Sequence, residues 1–196
     1  MPLPGPARGR GRGLTIGLMG GSFNPAHAGH LHVAETALKR LQLNAVWWIV
    51  ARGNPLKAEH GSFEARLASA RNMAQGRRMR VSDIEARLGL TYTVDTVAAL
   101  KRAMPGVRFV WIMGADNLRS FHRWRDWERL ARAVPVAIIA RPGSRISRAS
   151  LFTRKFAYAR ICERDAVSLG RRAAPAWVYL RAREHALSST QLRAGG

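Results

Sequence analysis

An apolar run, a glycine turn and a helix-like segment follow one another near the start of the chain, and this order strongly constrains the fold. The run covers residues 14–18, two glycines stand at 20–21, and the helix-like segment covers 31–41. A strand, a glycine turn and a helix start together bind phosphate on backbone N–H groups. His27 and His30 lie where that phosphate would lie. The pattern predicts a nucleotide-phosphate site with two imidazoles.

Strand-like and helix-like segments alternate along the rest of the chain. This alternation predicts βαβ units and an α/β fold, a Rossmann-like three-layer sandwich with a mainly parallel sheet. The predicted strands are 14–19, 45–50, 79–81, 107–113, 134–140 and 177–180, and the predicted helices are 29–41, 63–74 and 93–104. Ligands of such sheets bind beyond the carboxyl ends of the strands. The loops expected to form the site are therefore 20–30, 51–62, 114–127, 141–147 and 185–193.

The length of 196 residues fits one domain, which we place at 14–196. Residues 1–13 contain proline, glycine and arginine with almost nothing to bury, and we expect a disordered basic tail there. Cys162 is the only cysteine, which excludes a disulfide framework and a thiolate zinc site. No apolar run reaches the ~20 residues that a membrane-spanning helix needs. We therefore expect no membrane partner and a cytoplasmic location.

The net charge is +21, from 33 basic and 12 acidic residues. Such an excess raises the local concentration of anions. The arginines could be spread over a solvated surface, could serve anionic small substrates, or could bind nucleic acid. Nucleic-acid binding predicts a steep salt dependence that survives loss of both histidines. Because the tail lacks interleaved aromatic residues, we do not expect a nucleic-acid partner.

The histidine pair suits nucleotidyl transfer to a phosphate. An ionised phosphate attacks without a strong general base, so positioning and charge stabilisation supply most of the acceleration. Imidazole N–H groups can donate to phosphate oxygens, and Gly29 lets the backbone approach closely. A structural pair or a metal site are alternatives, although zinc needs further ligands that do not cluster in the sequence. His32, a third imidazole nearby, is expected on the surface of the helix.

A second signature, Leu187-Ser188-Ser189-Thr190-Gln191-Leu192-Arg193, lies at the end of the chain. Serine and threonine at a helix start offer hydroxyls and N–H donors, and the arginine follows one turn later on the same side. This arrangement suits a clamp on the β- and γ-phosphates of a nucleotide. A simple N-cap on a terminal helix is the alternative.

Taken together, the two signatures resemble the H-x-G-H nucleotidylyltransferase superfamily and, within it, the bacterial nicotinate-nucleotide adenylyltransferases. The resemblance runs from Leu14 to Arg193. The segments that point to this family are 54–57 (NPLK), 91–96 (TYTVDT), 112–118 (IMGADNL), 121–124 (FHRW) and 141–143 (RPG). The resemblance implies transfer of the adenylyl group of ATP to nicotinate mononucleotide, giving deamido-NAD and pyrophosphate in NAD biosynthesis. It also implies Mg²⁺, arriving with ATP.

The resemblance further implies roles for individual residues. His27 and His30 would face the ATP phosphates, with His30 the more essential, and Lys57 would neutralise phosphate charge. Thr93 would recognise the nicotinate carboxylate through its main chain, and Trp124 would stack on the pyridine ring. The remaining ATP-binding residues would be Gly21, Ser22, Phe23, Gly114, Asp116, Arg141, Ser189, Thr190 and Arg193. No protein residue is expected to bind the metal.

Structural alternatives stay open for five of these residues. They are core packing for Trp124, helix capping for Asp116 and Thr93, a solvated loop position for Lys57, and a strand end for Arg141. Rival acceptors for the same chemistry are nicotinamide mononucleotide and phosphopantetheine, and a binding module without catalysis is a further alternative. The oligomeric state stays open.

Two departures from the family pattern are visible in the sequence. Asn24 stands where the family often has aspartate, which removes a negative charge near the phosphates. The chain also ends three residues after Arg193, where many relatives continue with a longer helix. We therefore expect a less rigid terminal clamp on ATP.

Overall fold

The computed structural model describes residues 11–53, 61–140 and 150–181. Its strands are β1 (Thr15–Gly21), β2 (Ala45–Val50), β3 (Met79–Ser82), β4 (Arg108–Gly114), β5 (Val136–Ile139) and β6 (Trp177–Leu180). Its α-helices are α1 (Ala28–Arg40), α2 (Phe63–Met73), α3 (Ile84–Leu88), α4 (Thr93–Ala103), α5 (Trp127–Ala133) and α6 (Leu151–Lys155). Short 3₁₀ helices cover Ala115–Arg119, Phe121–Arg123, Ala157–Ala159 and Glu163–Arg171.

All strand pairs in the sheet are parallel, and the strand order is β3-β2-β1-β4-β5-β6. The chain builds outwards from β1 to β3 and then returns to place β4 on the other side of β1. This reversal creates a crevice between β1 and β4 at the carboxyl ends of the strands, where ligands bind in open α/β sheets. Gly21 pairs with Val50 at this edge, and Gly114 pairs with Ile139. The predicted α/β fold is confirmed.

The sheet is covered on both faces, which explains why its strands are apolar without alternation. Trp47 and Trp48 are adjacent in β2, yet each is buried in a different core cluster. The cluster of Trp47 includes residues of α4, α5 and α6, whereas that of Trp48 includes residues of α1, α2 and the 3₁₀ helix Glu163–Arg171. The two clusters are the two helical layers of the sandwich.

The predicted strands all exist, with boundaries within two residues of those observed. The predicted strands 45–50 and 177–180 match β2 and β6 throughout. The sequence analysis missed α3, α5 and α6, which have only five to seven residues and so show little periodicity. Among the described residues, no helix is both long enough and apolar enough to span a membrane.

Residues 11–13, which the sequence analysis assigned to the tail, form hydrogen bonds near the start of β1. Gly13 donates its N–H to the Gly106 carbonyl over 3.1 Å, and the Arg108 guanidinium donates to the Gly13 carbonyl. Leu14 N–H closes a turn on the Gly11 carbonyl. These hydrogen bonds connect residues 11–13 to the start of β4 and the loop before it, whereas residues 1–10 of the predicted tail lie outside the described ranges.

Candidate active site

Two glycines at the end of β1 allow close packing beneath the turn that follows. A Cβ at Gly20 would lie 2.6 Å from Cη2 of Trp111, and a Cβ at Gly21 would lie 3.0 Å from Cζ of Phe23. Phe23 itself is buried and has a φ of +48°, an uncommon conformation for an aromatic residue. Its ring folds back under the turn and packs 5.2 Å from the ring of Trp48. Packing of the Phe23 ring on Trp48 thus fixes the turn, whose backbone lies at the carboxyl edge of the sheet.

His27 and His30 begin α1 and hold each other in place. His27 is the N-cap, and its Nδ1 accepts the N–H of Gly29 over 3.1 Å. The Nδ1 of His30 accepts the backbone N–H of His27 over 3.3 Å. Each side chain therefore satisfies an N–H group of the first turn, in the reciprocal manner of a capping box. The two ring centroids lie 3.9 Å apart.

These hydrogen bonds fix the tautomer of both rings. A nitrogen that accepts an N–H carries no proton, so each neutral imidazole carries its proton on Nε2. His27 is exposed, and His30 is half-buried with its ring 5.1 Å from that of Phe23. The first turn of α1 contains no acidic residue, so the positive end of the helix dipole is not neutralised there. The helix start favours a negatively charged ligand.

Arg66 of α2 binds together the loops that follow β1 and β2. Its guanidinium donates to the carbonyls of Ser22, Ala51, Arg52 and Gly61, over distances of 2.7 to 3.1 Å. The side chain is buried, and burial lowers the pKa of Arg66, with a smaller opposite effect from Glu64. No carboxylate of the described residues forms an ion pair with it. Arg66 therefore brings positive charge to the base of the predicted phosphate loop.

A further hydrogen bond attaches this loop to α2. The N–H of Ala26 donates to Oγ of Ser69 over 2.9 Å. Ser69 lies one helical turn after Arg66, so both side chains reach the same loop from one helix face. The loop before the histidines is consequently held at its start and near its end.

Glu85 of α3 is a second buried charge near the end of β2. Its Oε1 accepts the hydroxyl hydrogen of Thr96 over 3.0 Å, and its carboxyl also accepts the backbone N–H of Arg52. Burial raises the pKa of Glu85 to about 7, and the hydrogen bonds from Thr96 and Arg52 oppose this rise. The carboxyl connects the loop after β2 to the first turn of α4.

Thr93 and Trp124, the predicted pyridine-binding residues, belong to neighbouring elements. Thr93 is the first residue of α4, and the N-cap is Tyr92, so the alternative that Thr93 caps the helix is wrong. Its N–H precedes the first hydrogen bonds of the helix, which Asp95 and Thr96 donate to the Tyr92 carbonyl. The Thr93 N–H therefore belongs to the first turn of α4, where N–H groups lack partners within the helix.

Trp124 is half-buried and follows the 3₁₀ helix Phe121–Arg123. Its ring meets those of Trp111 and Phe121 edge-on, with centroids 5.9 and 5.2 Å apart. One side of the indole thus packs on the core, while part of the side chain stays accessible. The predicted stacking role and the core-packing alternative are both compatible with this position.

Only some of the other predicted phosphate- and ATP-binding residues lie among the described residues. Gly114 ends β4 and is the N-cap of the 3₁₀ helix Ala115–Arg119, in which Asp116 is exposed. Because the cap residue is Gly114, the alternative that Asp116 caps this helix is wrong. Gly114 and Asp116 lie at the carboxyl edge, as do Gly21, Ser22 and Phe23. Lys57, Arg141, Ser189, Thr190 and Arg193 lie outside the described residues.

The third imidazole of the region corrects one expectation. His32 was expected on the helix surface, but it is half-buried, and its Nε2 is enclosed with no hydrogen-bond partner among the described residues. Within residues 11–53, 61–140 and 150–181, no group of three or more His, Cys, Asp or Glu side chains could hold a metal ion. The described residues thus offer no support for the metal-site alternative at the histidine pair.

Arg66 and Glu85 are the two site residues that the sequence analysis missed. Arg66 follows Phe63 by three residues and precedes Ala70 by four, which places it on the apolar face of α2. An arginine on a buried face was an available signal. The sequence signal for Glu85 was weaker, because its five-residue helix shows no clear period and its partner Thr96 is on another helix.

Comparison with known proteins gives consistent results over most of the chain. A family model described as cytidylyltransferase-like matches residues 18–195. A probable nicotinate-nucleotide adenylyltransferase of Agrobacterium fabrum is 49% identical over 183 residues, which cover 92% of this chain and 98% of that protein. A protein of the same name from a Caulobacter species is 51% identical over 183 residues, covering 92% of this chain and 97% of its own.

A solved structure provides the comparison of folds. It is Plasmodium falciparum nicotinic acid mononucleotide adenylyltransferase complexed with NaAD. The TM-score is 0.68 at 18% sequence identity, and the match covers 92% of this chain and 83% of that one. At this identity the similarity supports the fold alone.

Proposed function

Because the chain belongs to the nicotinate-nucleotide adenylyltransferase family, we propose that it transfers the adenylyl group of ATP to nicotinate mononucleotide. The products are deamido-NAD and pyrophosphate, and the reaction is a step of NAD biosynthesis. The observation that carries the mechanism is the histidine pair, whose two Nδ1 atoms are both occupied by backbone N–H groups of the first turn of α1.

The reaction is a single in-line displacement. A phosphate oxygen of nicotinate mononucleotide attacks the α-phosphorus of ATP, the bond from that phosphorus to the oxygen bridging to the β-phosphate breaks, and pyrophosphate leaves. No covalent intermediate with the enzyme forms. The attacking oxygen is already ionised near neutral pH, so the protein has to align two polyanions and stabilise the charge of the transition state.

His27 and His30 supply hydrogen-bond donors for that charge. Since their Nδ1 atoms accept N–H groups, both rings present Nε2–H as the donor toward phosphate. The positive end of α1 adds to the same field. Donors of this kind, fixed before the substrate arrives, stabilise a transition state without reorganisation during the reaction.

The remaining phosphate contacts come from the loops at the same edge of the sheet. The backbone of Gly21, Ser22 and Phe23 lies along the substrate phosphates, and Arg66 holds this loop from below. Gly114 and Asp116 bind the nucleotide after β4. Lys57, Arg141, Ser189, Thr190 and Arg193 complete the contacts with the triphosphate, on the basis of the family resemblance alone.

Magnesium accompanies the triphosphate in this proposal. Mg²⁺ prefers oxygen ligands, whereas the histidine pair offers nitrogens, and no carboxylate cluster occurs among the described residues. These residues do not fit a magnesium site made by the protein, so no step is assigned to the ion. Phosphate oxygens and water would hold it.

The pyridine end of the acceptor binds between α4 and the loop after β4. The main chain at Thr93 recognises the nicotinate carboxylate, and Trp124 stacks on the ring. The free N–H groups of a helix start favour an anion, which supports the first assignment. The partial exposure of Trp124 supports the second.

The test is product identification with purified protein. Mg-ATP is incubated with nicotinate mononucleotide, nicotinamide mononucleotide or phosphopantetheine, and the products are identified by mass. We expect deamido-NAD to form at least about ten times faster than the product of either other acceptor, which corresponds to about 1.4 kcal/mol of discrimination. Faster formation of NAD or of dephospho-coenzyme A would refute the proposed acceptor.

A further inference from the structure

Arg125 lies next to both residues assigned to the pyridine ring. It follows Trp124 directly in the chain, and its guanidinium carbon sits 4.8 Å from the centroid of the Tyr92 ring. Tyr92 is the N-cap of α4 and precedes Thr93. This one contact therefore joins the loop that carries Trp124 to the helix start that carries Thr93.

The charge of Arg125 is not used elsewhere in the described structure. No carboxylate of residues 11–53, 61–140 and 150–181 forms an ion pair with it, and the side chain is exposed. A guanidinium held over an aromatic ring still offers its in-plane N–H donors to a planar carboxylate. The position thus combines a cation, the N–H groups of a helix start and an accessible indole.

The backbone on either side of Arg125 limits where it can reach. Trp124 N–H donates to the Phe121 carbonyl over 3.0 Å, and Trp127 N–H donates to the Trp124 carbonyl over 3.2 Å. Asp126 has a φ of +48°, so the chain turns sharply before α5 begins at Trp127. Arg125 therefore projects from a short, hydrogen-bonded turn.

We infer that the Arg125 side chain recognises the nicotinate carboxylate and so determines the preference of the enzyme for the acid over the amide mononucleotide. This assignment rests on the proposed function. The two acceptors differ by one negative charge on the ring substituent, and a fixed cation beside that substituent favours the acid. The N–H groups at Thr93 carry only partial charge and can also bind the carbonyl oxygen of the amide, whereas the full positive charge of Arg125 adds a larger preference for the acid.

The test compares kcat/KM for the two mononucleotides in wild type, R125Q, R125K and the control R123Q. Arg123 is an exposed arginine two residues earlier, so its replacement removes the same charge from the same region. For R125Q we expect kcat/KM with the acid to fall about ten-fold or more, while the value with the amide changes less than about three-fold. R125K should recover part of the loss, and R123Q should retain the ratio of wild type.

The outcomes separate this assignment from the proposed function. Equal losses with both acceptors, or an unchanged acid-to-amide ratio in R125Q, would overturn the role of Arg125 while the proposed function stands. A wild-type protein that makes no deamido-NAD would overturn both. A structural role for the contact with Tyr92 predicts a changed melting temperature with no change in the ratio, and that result would also count against recognition.

Discussion

The Nδ1 atom of His27 accepts a hydrogen bond from Gly29, and the backbone N–H of His27 in turn donates to Nδ1 of His30. The two side chains therefore have two functions in one turn of helix. They complete the N-terminus of α1 through Nδ1, and they present Nε2 for phosphate. Stability and catalysis can be separated experimentally because the two functions use different ring atoms.

Substitution of His30 by alanine removes an Nε2–H donor from the transition state. We expect kcat to fall about 100-fold or more, as for loss of a single preorganised donor in other enzymes. The fold should persist, with a loss of about 1 kcal/mol in the free energy of unfolding from the missing cap. Steady-state kinetics measures kcat, and urea unfolding measures the free energy of unfolding. The variant E35Q, at an exposed position of α1, serves as control. A kcat within a few-fold of wild type would contradict the role of His30.

Substitution of His27 separates capping from catalysis. Asparagine is a strong N-cap residue, so H27N should keep the stability of wild type, whereas H27A should lose about 1 kcal/mol. Both variants lack the imidazole Nε2–H, so both should lose activity to a similar extent. If H27N keeps wild-type kcat, the ring of His27 is needed only as a cap.

Substitution of Arg66 tests the connection between the two loops. R66M leaves four carbonyl oxygens without their donor, so we expect a loss of about 2–4 kcal/mol in the free energy of unfolding. Lysine restores the charge but cannot bridge four acceptors, so R66K should recover only part of this loss. Urea unfolding is the measurement, and R71M, an exposed position of α2, is the control. Equal stability of R66M and R71M would show that the connection contributes little.

Gly20 tests the close packing beneath the phosphate turn. A Cβ at this position would lie 2.6 Å from the Trp111 ring, which is buried on all sides. G20A should therefore lose about 1–3 kcal/mol, whereas G53A, where no heavy atom of the described residues lies within 4 Å of the added Cβ, should remain close to wild type. Thermal unfolding measures the stability of both variants. Similar stabilities of G20A and G53A would contradict the argument that Gly20 is closely packed.

Because the pKa of Glu85 is raised in the folded state, we expect the free energy of unfolding to fall as the pH rises. Its folded-state pKa of about 7 lies above the value of about 4.3 in an unfolded chain, so the folded state holds the proton more tightly. Stability contributed by this group is present at acidic pH and is lost as the pH rises through 7. Between pH 5 and pH 8 the loss should reach about 2–3 kcal/mol.

The variant E85Q cannot lose that proton. Its free energy of unfolding relative to wild type should therefore increase by about 2–3 kcal/mol between pH 5 and pH 8. The exposed variant E64Q serves as control. A difference between E85Q and wild type that stays constant over this range would show that Glu85 does not titrate there.

The sheet could be predicted from the sequence because each strand is a run of apolar residues between turn signals. Residues 45–50 were assigned correctly, since six consecutive apolar residues fit a strand buried on both faces. The helices of five to seven residues were missed because they have too few turns to show a period. His32 was placed on the surface because helical spacing alone does not show what packs against each face.

The sequence motif identified the histidine pair, but it could not predict the hydrogen bonds that the two side chains form. They depend on the backbone conformation of His27, whose φ of −147° and ψ of 170° put the side chain within reach of Gly29. Arg66 and Glu85 depend on contacts between different elements, which spacing along the chain does not encode. The roles of Lys57 and Arg193 remain predictions from the resemblance.

The most direct measurement of the central claim is a crystal structure of the protein with a non-hydrolysable ATP analogue and nicotinate mononucleotide. We expect Nε2 of His27 and of His30 within about 3.2 Å of phosphate oxygens, with the acceptor phosphate in line for attack at the α-phosphorus. Phosphates bound elsewhere, with neither imidazole in contact with them, would contradict the claim that the histidine pair stabilises the charge on the α-phosphate during adenylyl transfer.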